Sequence, residues 1–265
     1  MIPVGFGTDA ECHVALHEVW MKRFEEECED LAPLETFDPQ AFVGDDQAPQ
    51  DVCSFILTLA MFYNDYKDVL FASIALGDSK PPGEFKKTRL WGAYTGMELH
   101  AYRVNIGMLH ELFTFIRDSK EAIGHPFFGR VVQRVSPLLR PAWLALVDVA
   151  NGSTPKDALG MSLVRVRNKV SFHYDAKEVY RGYRHQFFDS DERAFISRGQ
   201  SMSATRFYFA DAAALGYLRA IEGEVRLENT LETVVRLAKT VNHALMSIVE
   251  AFIQTRGKAY RSFRE

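Results

Sequence analysis

The feature that most constrains this chain is a long apolar stripe. Between Glu224 and Ile253, the residues Leu227, Leu231, Val234, Ala238, Val241, Leu245, Ile248 and Phe252 recur at steps of four and three. That spacing puts them on one face of an α-helix of about eight turns. A helix with one apolar face has to bury it against other elements. A second run, Leu90, Tyr94, Met97, Ala101, Val104, Met108, Leu112 and Phe115, predicts another long helix, stopped by Gly124 and Pro126. Beside it lie Gly92, Gly96, His100, Arg103 and Gly107, where small residues let another element come close.

Asp51 to Leu76 opens on a capping residue and is apolar on almost every side as far as Tyr63, which predicts a central helix surrounded by others. Gly77 and Pro81-Pro82-Gly83 end it. Shorter helices are predicted over Ala10 to Leu31, Gly129 to Ala150 (broken near Pro137 and Pro141), Pro155 to His173 and Ala204 to Ile221. Ala32 to Gln50 and Phe187 to Ser203 read as loops, and no useful alternating β pattern or internal repeat occurs. The expected fold is all-α, an irregular up-down helical bundle. Residues 1–50 form an N-terminal helix and acidic loop packed on it, 51–256 the bundle, and 257–265 a basic tail.

Composition narrows the class. The 265 residues are 47% hydrophobic and 25% charged, which is globular rather than disordered composition. A net charge of −4 excludes a uniformly basic surface. The charge is uneven: Glu25 to Asp51 contains no Lys or Arg among many carboxylates, and Arg256 to Arg264 is basic. Cys12, Cys28 and Cys53 form an odd set without a close pair, which suggests neither disulfides nor a thiolate zinc site and fits a reducing, cytoplasmic setting. Met1 to Gly7 has no leader character, and Val52 to Leu76 is interrupted by Asn64, Asp65, Lys67 and Asp68, so no membrane association is expected.

One stretch carries candidate chemistry: Arg167-Asn168-Lys169-Val170-Ser171-Phe172-His173. Thr154 caps and Pro155 opens the helix leading into it. Leu163, Val166 and Val170 form a stripe that His173 continues, with Arg167 at its edge. Packing alone accounts for such placement, since a His on an apolar stripe is often a hydrogen-bonded core residue and an Arg stem often covers apolar area. Six helical steps also leave Arg167 and His173 about 120° apart, so both can reach one atom only through a bent helix end or a second copy across a two-fold axis.

The string Val166 to Asp175 resembles the signature of the HEPN superfamily, an Arg and a polar residue separated by four to six residues from a His near the end of a bundle helix. Here Asn168 takes the polar position. The resemblance covers about Lys156 to Asp175 and implies a helical bundle, a homodimer, and metal-independent cleavage of RNA of the kind found in toxin and defence systems. His173 would move the proton of a ribose 2′-hydroxyl or of the leaving oxygen, Arg167 would stabilise the phosphate, and Asn168 would orient either. RNA would be preferred because DNA lacks the 2′-hydroxyl. Arg165, Lys169 and Tyr174 would bind backbone or stack a base. Asn64, Asp65, Arg103 and Glu111, set among apolar residues, would support the site from behind. An antitoxin or regulatory protein is a possible partner, and a non-catalytic module binding nucleotide, RNA or protein is the alternative. No cofactor is implied. His13 and His17 could share a metal at i,i+4, but no third ligand is fixed, and no Glu-x-x-His occurs for a dimetal bundle, so no metal is expected.

Overall fold

The computed structural model describes residues 35–84, 88–152, 175–189, 193–197, 205–222, 224–257 and 261–262. Eight helices carry these residues: α1 (Gln50–Asp78), α2 (Arg89–Asp118), α3 (Lys120–Gly124), α4 (Pro126–Arg134), α5 (Arg140–Ala150), α6 (Ala176–Phe187), α7 (Tyr208–Glu222) and α8 (Glu224–Thr255). The fold is all-α. Extended pairing among the described residues is confined to β1 (Glu35–Thr36) against β2 (Arg261–Ser262) and one bridge, Ser197 to Arg206. No helix of the described residues is long and apolar enough to cross a membrane.

The described residues fall into two compact units, one drawn from 69–107 and 175–231 and the other from 35–68, 108–152 and 232–262. The second unit is built on aromatic packing. Phe55 meets Phe115 at 5.3 Å, Phe128 at 5.6 Å and Trp143 at 6.3 Å between ring centroids. On α8, Ala238, Val241, Leu245, Ile248 and Phe252 are all buried, as their stripe requires. Phe252 lies against Phe42 and Phe127. The helical run breaks around Pro137, as expected, with Pro141 in the first turn of α5, and Arg140 fills the break. Its guanidinium donates to the carbonyls of Val132, Gln133 and Val135 at the end of α4, where a cation and donors are both favoured.

In the same unit a side chain just past the end of α8 binds a loop. Arg256 donates through Nε to the Ala41 carbonyl (3.0 Å), through Nη2 to the Val43 carbonyl (3.0 Å), and to the Asp45 carboxylate. Asp45 also accepts from the backbone N–H groups of Gln47 and Ala48, and Asp38 caps the short 3-10 turn Pro39–Phe42. These two acidic residues therefore organise the 38–48 segment.

Three expectations change. The α1 helix is not enclosed: Leu57 is 49% and Met61 60% exposed, on the side that also carries Ser54, Asn64, Asp65 and Asp68. Its apolar excess misled because burial follows the Val52, Phe55, Ile56 and Leu59 side. On α2 the buried face runs through Ile106, Leu109, Leu112, Phe113 and Ile116, whereas Val104, Met108 and Phe115 sit at its margins. A helix apolar over a wide arc has no unique stripe, and periodicity chose an adjacent one. The α6 helix was not anticipated at all. The helices expected over Ala10 to Leu31 and Pro155 to His173 lie outside the described residues.

Candidate nucleic-acid interface

Asp175 starts α6. Its carboxylate accepts from the backbone N–H groups of Lys177 (3.0 Å) and Glu178 (3.3 Å), while Arg184 and His185 lie in the last turn, where the helix dipole favours positive charge. The inner face holds Gly182 and Gln186, both buried. Gly182 lies against the Ala213 carbonyl and the Tyr217 backbone, and Gly216 of α7 against the Gly182 carbonyl, so the two helices cross with backbones in contact. Arg219 of α7 donates to the Gln186 side chain at 3.2 Å.

The opposite face of α6 is exposed and mixed in character. Lys177, Tyr180, Arg181, Arg184 and Phe188 follow one another at helical spacing on that side. Tyr180 is 61% and Phe188 71% exposed. Arg181 meets Glu178 only at 3.7 Å, a solvent-screened contact. Behind the stripe, Tyr183 gathers the rings of Tyr180 (near-parallel, 6.5 Å), Phe187 (4.9 Å), Phe188 (6.2 Å) and Phe209 (6.4 Å). Phe207 touches Phe209 and is itself largely exposed. Alternating cations and open aromatic rings suit a single nucleic-acid strand, whose phosphates seek the cations and whose unstacked bases seek the rings.

The segment entering α7 has a second side. Phe207 and Phe209 turn toward these rings, whereas Arg206 and Tyr208 turn toward α2. The Tyr208 ring lies on Gly92, and its hydroxyl donates to the Arg89 carbonyl at 2.8 Å. The Arg206 guanidinium lies on Gly96 and donates through Nε to Asp211 at 2.9 Å. The small residues of α2 thus do admit a neighbour, in the form of two large side chains. One turn beyond Gly96 stands His100. Burial first, then the cations Arg103 and Arg206, hold its imidazole below the ordinary value and favour the neutral ring, while Asp211 pulls the other way.

The other residues singled out from sequence divide clearly. Arg165, Arg167, Asn168, Lys169, His173 and Tyr174 lie outside the described residues. Asn64 and Asp65 are exposed on α1 and Glu111 is exposed on α2, while Arg103 is half-buried on α2. Asn64, Asp65 and Glu111 belong to one unit and Arg103 to the other. Among the described residues no three His, Cys, Asp or Glu side chains gather in a group that could hold a metal. The α6 stripe was missed because a polar helix interrupted by glycine has weak apolar periodicity. Its signal was Asp175 three residues ahead of Glu178, a helix-start pattern, followed by Val179, Tyr183 and Phe187 at steps of four.

No known family model, no curated protein and no solved structure matches this chain. The likeness to the HEPN superfamily therefore rests on Val166 to Asp175 alone.

Proposed function

We propose that this chain is a HEPN-like, metal-independent ribonuclease that binds single RNA strands on α6 and cleaves them at the Arg167-Asn168 to His173 segment. The observation that carries the reading is the exposed stripe Lys177, Tyr180, Arg181, Arg184 and Phe188. Its helix starts three residues after His173, so a strand lying along it passes close in sequence to the only candidate catalytic group. Phosphates on Lys177, Arg181 and Arg184 and bases on Tyr180 and Phe188 would fix the strand. His173 then activates the 2′-hydroxyl, and Arg167 stabilises the charge that grows on the phosphate. Two copies of the chain complete the centre if the motif helix is straight. A toxin or defence role belongs to the same proposal.

The test is RNA cleavage in excess chelator. Wild-type protein cleaves, His173→Ala and Arg167→Ala do not, and Tyr180→Ala with Arg184→Ala cleaves weakly because binding falls. Retained binding with no cleavage by wild-type protein would leave a non-catalytic RNA-binding module, the reading that the stripe by itself favours. Loss of neither binding nor cleavage in the Tyr180 and Arg184 variants would remove α6 from the function. Growth arrest on expression, relieved by His173→Ala, tests the toxin role.

A further inference from the structure

Arg206 has five N–H donors and, among the described residues, spends one of them, Nε on Asp211. Among the described residues Nη1 and Nη2 make no hydrogen bond, although the side chain is only 29% exposed and is held flat on Gly96. Neither nitrogen is among the buried side-chain atoms left without a partner, so both remain open to an acceptor that arrives from outside. Its surroundings favour an anion. Gly96, His100 and Arg103 share one face of α2, and Asp211 is the one carboxylate that the Arg206 side chain meets among the described residues. Across the antiparallel bridge, Ser197 exchanges both backbone hydrogen bonds with Arg206, and its hydroxyl is buried with no partner among the described residues. A neutral His100 can donate or accept without adding a charge that repels the arginines.

We propose that Arg206 and His100, in the positive field that Arg103 adds, form a phosphate-recognition site. This rests on the RNA reading for its ligand: the phosphate belongs to a strand whose base lies on Phe207 and the ring cluster behind it. Arg206 and Phe207 are consecutive and point to opposite sides of the segment, so the strand would cross its edge, with the phosphate on one side and a neighbouring base on the other. The fork of Nη1 and Nη2 grips two phosphate oxygens, as planar guanidinium groups do. Nε stays on Asp211.

The measurement is anisotropy of a labelled single-stranded RNA decamer over a range of salt, alongside imidazole NMR of His100 with inorganic phosphate. Arg206→Gln should weaken RNA binding roughly tenfold and lower the log–log salt slope by about one phosphate contact. Asp211→Asn should leave binding equal or tighter, since it removes a competing carboxylate and keeps Arg206. Inorganic phosphate should shift the His100 signals in wild-type protein and not in Arg206→Gln. Equal weakening by Arg206→Gln and Asp211→Asn with an unchanged salt slope would make the pair purely structural and overturn the site. A His100 response to phosphate in a protein that binds no RNA would keep the phosphate site and remove the RNA reading. No His100 response and an unchanged slope would overturn the proposal outright.

Discussion

At the scale of single residues, the sharpest electrostatic contact joins Arg256 and Asp45. The hydrogen bond from Arg256, followed by the backbone N–H of Ala48, holds the Asp45 carboxyl well below its ordinary value of 3.8. A carboxylate depressed on folding contributes stability that is complete above its unfolded value. That stability is lost as pH falls through the folded one. Stability measured by urea titration should therefore decline below about pH 4 through Asp45, and Asp45→Asn should flatten that part of the profile while lowering stability at neutral pH. An unchanged acid limb in the variant would show that the contact contributes nothing. The effect is bounded by solvent, because the Asp45 side chain is half exposed while that of Arg256 is almost wholly covered.

At the scale of elements, two glycines decide how α6 and α7 meet. A side chain at Gly182 runs into the Ala213 carbonyl and the Tyr217 backbone, and neither can yield as a flexible side chain would. Gly182→Val should cost about 1–3 kcal/mol or more in chemical denaturation and should also disturb the aromatic cluster on α6. Near-ultraviolet circular dichroism of the tyrosines reads that second effect, and an unaltered spectrum with full stability would rule out the backbone crossing. This element also marks the limit of reading helices from pattern. The helices α1, α2 and α8 were legible because long apolar repeats survive one-residue ambiguities, and Pro137 and Pro141 announced the break between α4 and α5. The α6 helix was not, because its stability comes from Asp175 at its start and from glycine-mediated contact with α7, which leave almost no apolar trace.

At the scale of the whole molecule, an all-α fold was readable from periodicity, whereas the partition of surfaces was not. Leu57 and Met61 are exposed despite their apolarity and Gly182 is buried despite having no side chain, since a repeat records composition along a helix and not the shape of what it meets. The ring cluster of Phe55, Phe128 and Trp143 offers a global measure. Trp143 is 1% exposed, so Trp143→Ala should reduce unfolding free energy by about 3–5 kcal/mol; a loss below about 1 kcal/mol would mean that the site collapses without a cavity. The candidate site was legible only in part: Gly92, Gly96, His100 and Arg103 were seen to share a face, but Arg206, which lies on it, is remote in sequence and carries no motif. The contact between Arg256 and Ala41 has a consequence in time. It joins residues 215 positions apart, and a contact closing so long a loop gains little until the intervening chain is already ordered. The clasp between the 41–45 segment and the residue that follows α8 should therefore form late in refolding, and Arg256→Ala should speed unfolding while leaving the refolding rate nearly unchanged.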